Sequence, residues 1–269
     1  VSARAQVLRA VRRASSLPFP YSAPSTPGGV EPLPPSKKLG ADYDTAWARR
    51  FPARMARLAL LEGVMRPTVA ALGAPERAGL DRLAGLTDGP VVFAANHHSH
   101  LDTPVVLTSI PEPWRHQVFV GAAADYFFRN RVTSAASALV IGAIPIERSK
   151  VTRRSADQAA RLIERGWSML IFPEGGRSPD GWGQPFRGGA AYLSSRCGVP
   201  VVPIHIEGTD KILRKGKKLP NPANVRVTYG TPLRPIAGES AARYAERIER
   251  AVAELADEAT SDWWQARQR

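Results

Sequence analysis

Asn96-His97-His98-Ser99-His100-Leu101-Asp102 sets an imidazole and a carboxylate five positions apart, directly after the apolar run Pro90-Val91-Val92-Phe93-Ala94. A histidine can take a proton from an alcohol as that alcohol attacks an electrophile. A carboxylate on its other nitrogen fixes the tautomer and stabilises the imidazolium. Five positions on one helix subtend about 500°, so His97 and Asp102 would diverge if both were helical. His97 must therefore precede the helix. Two starts allow this: Ser99 as N-cap with Asp102 completing a capping box, or Asp102 as N-cap with Thr103-Pro104 in the first turn, which Pro104 favours. In a different chemistry, His98-Ser99-His100-Leu101-Asp102 also fits H-x-H-x-D, the opening of a zinc hydrolase signature of the metallo-β-lactamase kind. That signature asks for histidine where Thr103 stands, and only His116 and His205 remain elsewhere as imidazole ligands.

Further groups of the same character lie downstream. Ile144-Pro145-Ile146-Glu147-Arg148 ends a strand-like run on a guanidinium able to hold a phosphate bidentately. Phe172-Pro173-Glu174-Gly175-Gly176-Arg177 follows another apolar run, and its glycines allow backbone N–H groups to approach an anion beside Arg177. The chemistry thus sits at the carboxyl ends of strands, where open α/β sheets bind ligands.

Short apolar runs and helical periodicities alternate along the chain. Strands are expected at 90–94, 117–121, 139–149, 167–172, 199–206 and 225–230. Helical chain is expected after Asp102, over 122–138, over 152–165, from Phe186 and from Ser240. This alternation predicts a single α/β domain with a mixed, largely parallel central sheet flanked by helices. From Trp47 to Leu72 apolar residues recur every three or four positions, beside Arg49, Arg50, Arg54, Arg57 and Arg66. The pattern suits an amphipathic helix or helix pair that lies in a lipid interface, packs on the domain, or does both in different turns. The organisation read from sequence is a basic, proline-rich tail or linker over 1–44, an amphipathic membrane-facing segment over 45–88, and the α/β domain over 89–269.

A net charge of +13, from 37 Lys and Arg against 24 Asp and Glu, predicts attraction to something anionic. No run approaches the roughly 20 apolar residues that span a bilayer, and no secretory h-region follows the first arginines. The expectation is contact with a membrane without crossing it. Cys197 is the only cysteine, which excludes an internal disulfide and suits a reducing compartment; its plain reading is a small buried hydrophobe.

Taken in order, four blocks resemble the glycerolipid acyltransferases of the lysophosphatidic acid acyltransferase type. Asn96 to Asp102 is similar to that family's N-H-x-S-x-x-D, Gly142 to Arg148 to its second block, Phe172 to Gly175 to its third and Val199 to Pro203 to its fourth. The resemblance implies His97 as catalytic base, Asp102 as its supporting carboxylate, and Arg148, Glu174, Gly175 and Arg177 as substrate-binding positions. Arg187-Gly188-Gly189 departs from the family pattern, and the first 45 residues match none of it.

The implied reaction is O-acyl transfer from an acyl-CoA or acyl carrier protein thioester to a glycerol hydroxyl of lysophosphatidic acid, giving phosphatidic acid. Glycerol-3-phosphate or another lysophospholipid is the alternative acceptor. Neither a resident cofactor nor a metal is expected, nor is a nucleic-acid partner. The implied place is the cytoplasmic face of the cell membrane, peripherally bound at an anionic surface. Direct attack without a covalent enzyme intermediate agrees with the absence of G-x-S-x-G.

Overall fold

The computed structural model describes residues 39–86, 89–147, 153–176, 183–212 and 220–260. Arg148, Arg177, the proline-rich amino-terminal stretch, most of the Lys211–Lys218 cluster and Trp263-Trp264 lie outside them. Strands β1 (Glu76–Ala78), β2 (Val92–Ala95), β3 (Val118–Ala123), β4 (Ala143–Ile146), β5 (Ser168–Ile171), β6 (Val201–Glu207) and β7 (Arg226–Tyr229) form one sheet in the order β1-β7-β6-β2-β5-β3-β4. Strands β2 to β6 run parallel, β7 is antiparallel to β6, and β1 pairs in parallel with β7. The sheet is mixed and largely parallel, as expected.

Its helices are α1 (Ala53–Leu60), α2 (Arg66–Gly73), α3 (Asp102–Ser109), α4 (Ala124–Phe127), α5 (Arg131–Val140), α6 (Arg153–Glu164), α7 (Gly189–Cys197), α8 (Thr209–Ile212) and α9 (Ala241–Thr260). Alternate residues of β2 serve the two faces. Phe93 and Ala95 pack with Val105, Val106 and Trp114, while Val92 and Ala94 pack with Ala159, Ile163, Leu193 and Ile248. Cover on both faces is what makes the central strands continuous apolar runs rather than alternating ones.

Several boundaries depart from the sequence reading. The run Leu139–Ile146 is not all strand. Leu139 and Val140 close helix α5, and β4 begins only at Ala143, after Gly142 turns the chain at φ +66°. A Cβ on Gly142 would lie 2.9 Å from the Arg57 guanidinium, so this turn also makes room for a buried side chain. The helical chain expected over 122–138 starts late, because β3 runs to Ala123. It also breaks at Asn130, whose side chain caps α5 by accepting from Thr133 N–H at 2.9 Å. Cys197 is partly exposed at the end of α7 rather than buried.

The division expected at residue 88 does not separate the packing. The described residues form one compact unit, and β1, from the segment read as amphipathic, extends the sheet beside β7. Within that segment the apolar stripe divides between two surroundings: Leu61 and Val69 are core residues, whereas Phe51 is 83% and Met55 51% exposed. Arg57, read as one of the basic residues flanking the stripe, is buried and donates from Nη2 to Val118 O at 2.7 Å. Among the described residues no helix is long and apolar enough to cross a membrane.

Candidate active site

Three neighbouring strands, in the order β6-β2-β5, deliver the site. Neighbouring strands stand about 4.8 Å apart, so the residues that follow their carboxyl ends meet without long side chains. The loop after β2 carries His97, the loop after β5 carries Glu174, and Thr209 opens α8 just past β6. Asn96 continues the β2–β6 ladder with its side chain, donating from Nδ2 to Ile206 O at 2.9 Å and accepting from Ile206 N–H at 2.7 Å. A carboxamide carries both a donor and an acceptor, so it can stand in for a peptide group where the strand ends.

Asp102 is fully buried at the first turn of α3. Its Oδ2 lies 2.9 Å from His97 Nδ1 and accepts from the N–H groups of His98 (2.7 Å) and Ser99 (2.8 Å); its Oδ1 accepts from the Thr209 hydroxyl at 2.5 Å. Asp102 is not the N-cap that Pro104 favoured, since Leu101 holds that place, and the capping-box start is the one the hydrogen bonds follow. Asp102 is the first helical residue, yet it also reaches back to Ser99 N–H while Ser99 Oγ accepts from Leu101 N–H, in the reciprocal manner of a capping box. Because Oδ2 already receives two backbone donors, it meets His97 as an acceptor. Nδ1 therefore carries the ring proton, and the lone pair rests on Nε2.

The His97 ring stacks on Phe172, with centroids 4.2 Å apart and planes 24° from parallel. The His97 backbone N–H donates to Glu174 Oε1 at 2.7 Å, and Glu174 Oε2 accepts from the Gln184 backbone N–H at 3.1 Å. Glu174, expected to bind substrate, is 1% exposed and spends both oxygens on the backbone of two loops. It is a positioning residue. Glu174→Gln puts an amide NH2 against one of those N–H groups, and the misplaced imidazole should lower kcat about ten- to a hundredfold with KM unchanged. A rise in the acceptor's KM alone would return Glu174 to the substrate.

A cavity of about 670 Å³ opens at this point. His97, Gly175, Gly176 and Arg187 line one part of it, and Val120, Ile141, Ile146, Ile171 and Phe172 line an apolar part. Its size lies within the roughly 300–1,000 Å³ usual for small-molecule sites. Gly175 lines the cavity. Its N–H is used by Phe172 O at 3.1 Å, and at φ +73° its bare Cα makes room for Arg187, whose Nε would lie 2.8 Å from a Cβ there. Arg187 thus enters the site at the position that departs from the family pattern. The roles expected of Arg148 and Arg177 fall outside the described residues.

Thr209, Phe172 and Asn96 had no assigned role in the sequence reading. A lone threonine after a strand has no pattern to mark it, and Asn96 was visible only as part of the motif. The H-x-H-x-D arrangement is not assembled as a metal site. Asp102 has both oxygens engaged by protein donors, and His100 stacks on Tyr126 with centroids 5.5 Å apart. His116 faces Glu112 at 3.1 Å, and burial, with His98 nearby, pushes His205 down to about 4.

A family model described as Acyltransferase matches residues 76–207. A chloroplastic 1-acyl-sn-glycerol-3-phosphate acyltransferase of Brassica napus, BAT2, is 35% identical over 159 residues, which is 58% of this chain and 44% of that protein. The human 1-acyl-sn-glycerol-3-phosphate acyltransferase beta is 29% identical over 126 residues, 43% of this chain and 40% of that protein. The chain thus spans less than half the length of these curated relatives. The crystal structure of the 1-acyl-sn-glycerophosphate acyltransferase PlsC from Thermotoga maritima shares the fold, with a TM-score of 0.62 at 21% identity, covering 80% of this chain and 85% of that one. The region matched by the acyltransferase family model holds β1 to β6, His97, Asp102 and Glu174, and the relatives similar over it are 1-acyl-sn-glycerol-3-phosphate acyltransferases.

Proposed function

We propose that this chain transfers a fatty acyl group from a thioester, acyl-CoA or acyl carrier protein, to the free glycerol hydroxyl of lysophosphatidic acid, yielding phosphatidic acid and the free thiol. The observation that carries this reading is the His97 ring in the cavity wall with Nδ1 held by Asp102, which directs the Nε2 lone pair to the task of base.

His97 Nε2 removes the hydroxyl proton as the oxygen attacks the thioester carbonyl. The C–S bond then breaks, and the imidazolium returns the proton to the departing thiolate. Asp102 stabilises the transient cation. The apolar wall formed by Val120, Ile146, Ile171 and Phe172 suits an acyl chain, and Arg187 suits the acceptor phosphate, with Arg148 and Arg177 carried over from the family pattern in the same role. The relatives whose names specify acylglycerol phosphate support this acceptor. We place the protein peripherally at the cytoplasmic face of the cell membrane; peripheral attachment as such is supported by exposed Phe51, Met55 and Val64 beside exposed Arg50 and Arg54.

The test is purified protein with acyl-CoA or acyl carrier protein against lysophosphatidic acid, glycerol-3-phosphate and lysophosphatidylcholine. Phosphatidic acid should form fastest, with one thiol released per ester made. Faster transfer to either of the other acceptors, or thioester hydrolysis without any ester product, would overturn the assignment.

A further inference from the structure

A second cavity, of about 380 Å³, lies away from His97. Trp167 in its wall immediately precedes β5, and Arg57, also in the wall, bonds to the first residue of β3, Val118. The cavity therefore sits at the amino ends of strands whose carboxyl ends build the catalytic site. Arg49, Arg54, Arg57, Arg115 and His116 line it, and no carboxylate does.

The charges are not evenly answered. Arg115 and His116 both have Glu62 and Glu112 within 3.5 Å. By contrast, among the described residues none of Arg49, Arg54 and Arg57 has a carboxylate oxygen within 4.0 Å, and Asp44 acts on Arg49 only at longer range. Arg49 and Arg54 converge on one indole, their guanidinium carbons 6.0 and 5.6 Å from the Trp167 ring centroid. Arg57 is 5% exposed, spends Nη2 on backbone carbonyls of Val118 and Ile141, and leaves Nε without a partner; Arg49 gives Nη1 to Thr45 and Nη2 to Gly142 O, neutral acceptors that leave its charge unanswered, and its Nε is buried and unpartnered. Burial lowers Arg49 to about 10, and burial together with the neighbouring Arg49 and Arg54 lowers Arg57 to about 10. Clustered, partly desolvated cations of one sign repel one another unless an anion joins them.

The rim says what kind of anion. Phe51, Met55 and Leu58 line the same cavity and are 83%, 51% and 38% exposed, so a cationic interior opens through an apolar edge. We propose that this cavity binds the phosphate headgroup of an anionic phospholipid, with Arg49, Arg54 and Arg57 around the phosphate and Phe51 and Met55 against the lipid's glycerol and first methylenes. The proposal rests on the peripheral membrane association inferred above and goes beyond it, since it replaces diffuse attraction by a built site remote from the catalytic base.

The experiment measures binding of the full chain to phosphatidylcholine vesicles with and without phosphatidylglycerol, at matched ionic strength and with no acyl donor. Phosphatidylglycerol is neither substrate nor product of the proposed reaction. Wild type should prefer the anionic vesicles. Arg54→Gln should reduce that preference by about tenfold or more, because a charge-assisted contact to phosphate is lost. Arg54→Lys keeps the charge and should still lose severalfold, since the planar fork stacked on Trp167 is gone. Arg50→Gln removes an exposed charge outside the cavity and should cost about fivefold at most. Equal losses for Arg50→Gln and Arg54→Gln, or an unaffected Arg54→Lys, would reduce the effect to surface potential and overturn the proposal. Equal wild-type binding to both vesicles would overturn it while leaving membrane association intact. Competition by inorganic phosphate as effective as that by phosphatidylglycerol would overturn the lipid assignment.

Discussion

His97→Ala should abolish acyl transfer, lowering kcat by about 10²–10⁴ with the fold unchanged, which corresponds to about 3–5 kcal/mol of transition-state stabilisation. The fold should survive because the ring is partly exposed in a cavity wall and contributes stacking on Phe172 rather than core contacts. The backbone around it is held independently, by Glu174 at the His97 N–H and by Asp102 at the next two N–H groups. Asp102→Ala should behave differently. It strips the support from the imidazole and also leaves the buried Ser99 and the partly buried His98 without the acceptor of their N–H groups. Each such orphan costs about 1–3 kcal/mol, so this variant should melt markedly lower as well as lose rate. The pair of measurements, steady-state kinetics and thermal unfolding, separates a base from its support. A His97→Ala protein that retains more than a tenth of the wild-type kcat would remove His97 from the chemistry.

How far this site could be read from sequence depends on how local each part is. The H-x4-D spacing showed that His97 must lie outside the helix begun by Asp102, and the structure places it there. The apolar runs ending at Ala94 and Phe172 located the carboxyl strand ends because a doubly covered parallel strand has no polar face to break the run. The same reasoning failed at Leu139 and Val140, since a buried helix end and a buried strand are equally apolar over a few residues. β1, written Glu-Arg-Ala, carried no strand signal because an edge strand of three residues draws its order from the β7 ladder rather than from its side chains. Arg57 read as one more basic flank of the stripe. Nothing in its neighbours announced that it would turn inward to the carbonyl of Val118, 61 positions away. Thr209 reaches Asp102 across 107 positions, a separation at which a single hydroxyl has no periodicity to betray it.

Gly208→Ala should cost the protein about 3–5 kcal/mol, a fall in Tm of about 10 °C for a domain of this size, and should impair transfer as well. Gly208 joins β6 to α8 at φ +88°, a conformation that L side chains rarely adopt, and a Cβ there would lie 2.0 Å from the backbone oxygen of Asn224. That neighbour is main chain leading into β7 and cannot swing aside as a flexible side chain would. Relief requires the end of β6 to move, and Thr209, the next residue, moves with it. Its hydroxyl would then leave Asp102 Oδ1, loosening the carboxylate that holds His97. Gly198→Ala supplies the comparison: its φ is +68°, but nothing lies within 4 Å of an added Cβ, so only the backbone term applies, about 1–2 kcal/mol. Thr209→Val removes the hydroxyl without the clash, and should lower kcat about tenfold while costing about 1–3 kcal/mol of stability. If Gly208→Ala melts within about 2 °C of Gly198→Ala, the close approach of the Gly208 and Asn224 backbones at the end of β6 is not what sets this turn. If Thr209→Val leaves kcat untouched, the third strand of the site holds the carboxylate for stability alone.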